Sequence, residues 1–422
     1  MPVRQLNKRW FLLSLFLLLV IACGCTVSNT DGADIQLTPL PTTIDPFPGE
    51  RPFIDTGTNI HLFQNFDYQV QDPASIAKYY DFVWGADPTK VAAFRAGNPN
   101  IFLSYYLSFF RDTGTFLNQD AHHDLKYWKA THPDWILYQC DRRTPAYEDN
   151  QTNVVPFDFS NPDLITWQMQ TYALPASQQG YDAIAADNLN MENLIGACGS
   201  YKNGQWVQRY SGKSDDPQWR ADVLTWVARM QIALHALQHP LALVPNLSLG
   251  FLSPDDPIVQ QVMGHIDGVL DEGGFTNYSH GYLTDEKWIQ TVQFIKNVQK
   301  QHKSYYVVNE FPSVDQNEIQ WALASYLMCN EHASSISIVR RQEYGKDLRY
   351  PEYGAQIGSP TDEMYQGQGV YWRDYTHGLS LVNPSSTQTY SVKLPGQYTG
   401  LYGNTVGQMI TLPPHSGVVL LF

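Results

Sequence analysis

One pattern recurs eight times between residues 60 and 339: a short run of apolar, β-branched or aromatic residues, a polar loop, then an amphipathic stretch with helical spacing. The runs occupy residues 60–64, 80–84, 101–106, 183–187, 241–246, 266–271, 305–310 and 335–339. Runs so short and so continuously apolar suit strands buried on both faces. Such strands, separated by helices, pair in parallel through right-handed crossovers. Eight of them close a (β/α)8 barrel of the TIM type, so the expected class is α/β. An open doubly wound sheet is the alternative, and the lack of a Gly-rich phosphate loop after any run counts against it. One connection is irregular: about seventy residues part the third run from the fourth, far more than a helix needs. It holds Trp128, Trp135, Tyr138, Tyr147 and the run VVPFDF. It reads as a structured loop over one barrel face, with a strand near Val154 that is either local or itself a barrel member.

Helix starts are marked between the runs. Asn161-Pro162-Asp163 supplies a capping amide, a proline at the first helical position and an acid in the first turn. Asp216-Pro217 does the same ahead of Trp219, Val223, Leu224, Val227 and Met230, which form one apolar stripe. Acids follow Thr284 at 285 and 286, where they oppose the positive end of the helix dipole. Asp315 and Glu318 have capping-box spacing. After Gly369 the character changes to short alternating stretches bounded by Gly, Pro and Asn-Pro, which predict a small antiparallel β-sandwich.

Composition sets the outer limits. The 422 residues are 43% hydrophobic and 16% charged, enough for a sizeable core, and the net charge of -14 leaves no clustered Lys and Arg for a nucleic-acid partner. Arg4, Lys8 and Arg9 precede an apolar run ending in Val20-Ile21-Ala22-Cys23, a leader with the small-residue-then-cysteine ending of bacterial lipoproteins. Cys23 is then the lipidation site and the membrane is touched through the lipid only; simple secretory cleavage is the other reading. The expected organisation is leader 1–23, flexible tether 24–52, barrel 53–365 and sandwich 366–422. Export implies an oxidising setting, where Cys140 and Cys198, both in loop sequence, are candidates for a disulfide and Cys329, in an apolar helical pattern, for a buried thiol.

Barrels of this kind build their sites at the C-terminal ends of the strands. The runs deliver there, in order, Asn65 with Asp67 two residues on, Trp84, Tyr105-Tyr106, Asp187-Asn188, Asn246, Asp271-Glu272, Asn309-Glu310 and Arg340-Arg341. Acids, amides and aromatic rings around one cavity are the inventory of a sugar site. Rings stack on pyranose faces, amides bind hydroxyls, and two carboxyl groups protonate the leaving oxygen and support the oxocarbenium-like centre. Asp187, Glu272, Asp271 and Glu310 are the acid candidates; Asn65, Asp67, Trp84, Tyr106, Asn188, Asn246 and Arg340 are the candidate sugar contacts. Each acid has a duller reading: Asp187 as a helix cap, one of Asp271 and Glu272 as a turn cap before Gly273-Gly274, Glu310 as a surface charge. His122 and His123 lack a third ligand at metal spacing, so no metal is expected, nor any organic cofactor. The absence of a Gly-x-Ser-x-Gly elbow argues against an esterase.

The segments IFLSYYLSFFRD, YWKATHPDWILYQCDRRTPAYED, VVPFDFSNPDLITWQ, YDAIAADN and IDGVLDEGGF together resemble a hypothetical glycosyl-hydrolase-like family of TIM barrels, the one numbered 15. That group is distantly similar to endo-polygalactosaminidase and α-galactosidase barrels. The resemblance runs over about residues 55 to 345, and the long third connection is its most specific part. VNPS and LPPHSGVVLL look like the β-sandwich that commonly follows such barrels. It implies a retaining arrangement, with Asp187 as nucleophile and Glu272 or Asp271 as acid/base, acting on a polysaccharide or oligosaccharide outside the cytoplasm. The rival expectation is a non-catalytic carbohydrate-binding lipoprotein on the same scaffold, in which the acids stand too far apart for glycosidic chemistry.

Overall fold

The structure is a computed structural model that describes residues 59–112, 121–148, 151–278, 280–331 and 333–422, with the backbone alone of Gln342. The leader, the tether and Cys23 lie outside the described residues. Eight parallel strands carry the scaffold: β1 (Phe63–Asn65), β2 (Phe82–Trp84), β3 (Phe102–Ser108), β4 (Ala183–Asp187), β5 (Ala242–Leu243), β6 (Gly268–Asp271), β7 (Ser304–Phe311) and β8 (Ser334–Arg340). Each falls on one of the eight apolar runs. β1 to β5 form one parallel sheet in chain order and β6 to β8 another. Single parallel bridges connect the two sheets at both edges, Asn246 with Leu270 and Leu62 with Ile336.

Residue size explains how the strands pack. Phe82 and Trp84, Ala183 and Ala185, Ala242 and Val244, and Tyr306 and Val308 are i, i+2 pairs, so each pair projects to one face of its strand. All eight belong to one buried cluster, with Phe63, Phe102, Leu270 and Val339. Small residues on β4 and β5 leave room for large rings on β2 and β7. The Phe82 and Tyr306 rings meet with centroids 4.2 Å apart, and the Trp84 indole N–H donates to the Val244 carbonyl at 3.1 Å. These contacts join strands that are not neighbours in either sheet.

The helix signals act as their chemistry requires. Asn161 Oδ1 accepts the Asp163 N–H (3.0 Å) to open Pro162–Gln168, and Asp216 Oδ1 accepts the Trp219 N–H (2.9 Å) to open Pro217–His235. The Asp315 and Glu318 side chains form a reciprocal capping box on Gln316–Cys329. Thr284 occupies the cap of Asp285–Lys300 without a side-chain bond, so its acids alone supply the N-terminal charge. The long excursion between β3 and β4 folds on itself around Trp128, Trp135, Phe157 and Trp167. Its strand near Val154 is local: Val155–Pro156 pairs antiparallel with Arg111–Asp112. A disulfide between Cys140 and Cys198, with Cα atoms 5.0 Å apart, ties the excursion to the loop after β4, and Cys329 is a buried free thiol.

Beyond residue 365 the strands are antiparallel. Six form one sheet, and a ribbon of Tyr390–Lys393 with Met409–Leu412 shares its core through Trp372, Leu381, Val392, Leu412 and Leu420. This unit covers the outer side of Gln316–Cys329, which is why ten of that helix's residues are buried. Arg373 donates to the Leu327 and Asn330 carbonyls at 3.0 Å and Tyr375 to that of Leu327 at 2.7 Å. A side chain at Gly417 would place its Cβ 2.7 Å from that of Ala324, so this close approach requires glycine.

Candidate active site

Asp187 ends β4, in register with Ser108 of β3. The next residue, Asn188, sits at φ +60°, a left-handed conformation that asparagine tolerates better than most and that stops the strand there. Four donors meet the Asp187 carboxylate: the Tyr106 hydroxyl (2.8 Å), the Asn188 N–H (2.9 Å) and Nδ2 (3.2 Å), and Asn246 Nδ2 (3.1 Å). The Arg111 guanidinium stands 3.9 Å away. No helix begins at Asp187, since the next element is the two-residue strand Leu189–Asn190, so the cap reading is set aside.

The ambiguity on β6 resolves to Glu272. Asp271 turns back on its own loop. Its Oδ1 accepts the Gly273 and Gly274 N–H groups (2.9 and 3.0 Å) and its Oδ2 accepts the Tyr305 hydroxyl (2.8 Å). It is therefore a turn cap, which corrects its candidacy as an acid/base. Glu272 instead accepts Asn246 Nδ2 at 2.7 Å and Asn65 Nδ2 at 3.3 Å. Asn246 thus spends both protons of one amide nitrogen on the two acids. Because both bonds reach the same nitrogen, the facing oxygens of Asp187 and Glu272 stand less than about 6 Å apart. Burial first, then the negative charge of Asp187, pushes the Glu272 carboxyl up to about 7, with a smaller push from Glu310.

Other candidates lie elsewhere. Trp84 is fully buried beneath the site, so no ring face is open to a ligand. Asp67 is wholly enclosed and faces Asp87 and Lys90: its Oδ2 accepts the Asp87 N–H (3.1 Å) and Lys90 Nζ stands 3.9 Å away. Its carboxyl is raised to about 6 by that burial, in a place with no view of the pair. Arg340 is exposed and paired with Glu343. These three are corrections with one cause: a strand end says where a residue sits but not which way it turns. Glu310, the last residue but one of β7, accepts the Tyr344 hydroxyl and lies 3.6 Å from Arg341, so it flanks the pair rather than replacing a member. Asn65, Tyr106, Asn188 and Asn246 do converge on the acids.

Three side chains escaped the sequence reading. Arg111, ion-paired with Glu148, stands beside Asp187. Tyr68 and Tyr278 rise from the loops after β1 and β6 with 49% and 43% of their surface exposed. Tyr68 stacks on Phe66, whose ring meets that of Tyr106, and Tyr278 lies against Gly273 beside Glu272; burial first, then the charges of the nearby acids, raises both phenols. None of the three lies on a periodic run; only the Arg-Asp pair in FFRD, just past the third run, hinted at one of them. Among the described residues no group of three or more His, Cys, Asp or Glu is placed to hold a metal ion.

The sequence profile described as hypothetical glycosyl hydrolase family 15 matches residues 95–379. No curated protein matches in sequence. Among solved structures, similar chains include a noncanonic maltogenic α-amylase from Thermotoga neapolitana (12% identity, TM-score 0.45, 86% of this chain and 98% of that one). Another is an α-amylase from Geobacillus thermoleovorans (13%, 0.41, 86% and 96%). A third is a GH36 α-galactosidase from Geobacillus stearothermophilus (10%, 0.42, 86% and 55%).

Proposed function

Since the chain belongs to hypothetical glycosyl hydrolase family 15, we propose that it cleaves a glycosidic bond of a polysaccharide or oligosaccharide by double displacement, with Asp187 as nucleophile and Glu272 as acid/base. The observation that carries this reading is the single amide nitrogen of Asn246 bonded to both carboxyl groups. Facing oxygens held within about 6 Å of each other by one nitrogen fall short of the ~6.5 to 9.5 Å of inverting glycosidases and suit the ~5 to 5.5 Å of retaining ones. The non-catalytic alternative requires separated acids and finds no support here.

In the first step an Asp187 oxygen attacks the anomeric carbon while Glu272 gives its proton to the glycosidic oxygen, so the leaving group departs as an alcohol and a glycosyl ester remains. In the second, Glu272 takes a proton from water, whose oxygen displaces Asp187 and frees the sugar. Tyr106 and Asn188 fix the attacking oxygens, and Asn246 keeps both acids in register. A carboxyl raised to about 7 carries its proton near neutrality and can still give it up, which suits an acid that becomes a base.

The scaffold reading is part of the proposal. The eight strands, joined at both edges by Leu62 with Ile336 and Asn246 with Leu270, close as a (β/α)8 barrel around the Phe82, Trp84 and Tyr306 rings. The location is outside the cytoplasm on a lipid at Cys23; the Cys140–Cys198 disulfide is the support among the described residues.

The test is release of reducing ends from a polysaccharide panel by wild type, Asp187→Asn and Glu272→Gln. The expected result is loss of at least about a thousandfold in either variant at unchanged folding, with azide restoring a Glu272→Ala variant on activated glycosides. Equal rates in wild type and Asp187→Asn would remove the mechanism.

A further inference from the structure

We propose that the ring of Tyr68 is the platform on which the sugar unit held at the carboxylate pair stacks. This rests on the glycosidase reading and adds a specificity-determining residue on a different strand end. Tyr68 is half exposed and sits over Phe66, whose ring meets that of Tyr106 with centroids 5.9 Å apart, and the Tyr106 hydroxyl bonds Asp187. One face is already taken. Phe66 stacks beneath it with ring centroids 4.8 Å apart at 26°, and Trp84 meets Phe66 edge-on at 5.0 Å, so a ladder of rings leads from the core to the surface.

The ladder is built at some backbone cost. Phe66 is held at φ +55°, a left-handed conformation uncommon for a bulky residue. Two glycines make space for the pair. A Cβ at Gly85 would lie 2.8 Å from the Phe66 ring, and one at Gly345 would fall on the Tyr68 ring; both have positive φ, +75°. The loops carrying the pair are also stitched together, since the Gln69 N–H donates to the Gly345 carbonyl (3.0 Å) and its side chain to that of Tyr344 (2.9 Å). A surface tyrosine with no task needs neither a strained neighbour nor two glycines to clear its ring. A flat, supported, half-open aromatic face beside the two acids suits the apolar face of a pyranose, and it does the work expected of Trp84, which is buried.

The experiment is native affinity electrophoresis of the full chain in gels containing soluble starch, galactan or a partly N-acetylated hexosamine polymer. Asp187→Asn serves as the background, so that turnover does not blur retardation. Release of reducing ends by the wild type is followed in parallel. Adding Tyr68→Ala is expected to weaken binding of the retarding polymer on the order of tenfold, Tyr68→Phe to leave it within about twofold, and Gly345→Ala to imitate Tyr68→Ala. Equal retardation with and without the Tyr68 ring overturns the platform and leaves the carboxylate mechanism standing if the wild type releases reducing ends. A Tyr68→Phe variant as weak as Tyr68→Ala also overturns stacking, because the ring is kept and only the hydroxyl is lost. Absence of both retardation and release on every polymer overturns the platform together with the reading it rests on.

Discussion

The two ends of the parallel strands treat buried acids in opposite ways. At the N-terminal ends Asp81, Asp182 and Asp267 each stand immediately before a strand. Each faces a base: His61 at 3.2 Å, Arg95 at 2.5 Å and His235 at 2.9 Å. Asp182 and Asp267 also accept a backbone N–H of the neighbouring strand, from Leu103 and Leu243 at 2.8 Å. Each acid there meets a basic side chain, and the acids lock strand to strand. At the C-terminal ends Asp187 and Glu272 share one amide nitrogen, and the bonds they accept come from amides, a phenol and a backbone N–H. Burial first, and then two like charges side by side, hold a proton on Glu272 near neutral pH. The same residue types serve stability at one end and chemistry at the other, according to their partners.

The comparison can be broken by mutation. The largest effect is expected at the C-terminal end, where Asp187→Asn or Glu272→Gln removes at least about a thousandfold of turnover while the protein stays folded, read by reducing-end assay and calorimetry. Asp267→Ala should do the reverse. Loss of a buried acid with two partners costs about 2 to 4 kcal/mol in denaturant unfolding, while turnover per folded molecule stays within about twofold.

pH sharpens the contrast. Glu272 in the folded chain titrates near 7, above its ordinary value of 4.5, so its ionisation opposes folding: the penalty is absent below pH 4.5, grows through the interval and is complete above 7. Glu272→Gln should therefore exceed wild type in stability by roughly 1 to 3 kcal/mol at pH 8 and match it at pH 4, by urea unfolding at both values. Wild-type turnover should fall on a basic limb near pH 7. The smallest effect is expected at Arg340→Ala, with the urea midpoint and KM both unchanged, because its exposed pair with Glu343 is remote from the acids.

Periodicity made the scaffold legible: eight apolar runs became eight strands, and the places where they stop located Asp187, Asn188, Asn246 and Glu272. What it could not convey is direction. Asp271 and Glu272 are adjacent, and only the N–H groups of Gly273 and Gly274 decide which one folds back. Trp84 and Asp67 stand at or just past strand ends yet point into packing, because ring size and the Lys90 loop determine their rotamers. Tyr68 was hidden for a related reason: its position depends on Phe66 at positive φ and on a glycine 277 residues further along the chain, a relation no local pattern carries.

The pairing of Asp187 with Glu272 across one amide is tested most directly by the stereochemistry of the first product. Proton NMR of the anomer released by the wild type, recorded before mutarotation, should show the configuration of the bond that was cleaved. Release of the opposite anomer would contradict a nucleophile and an acid bridged by one amide nitrogen.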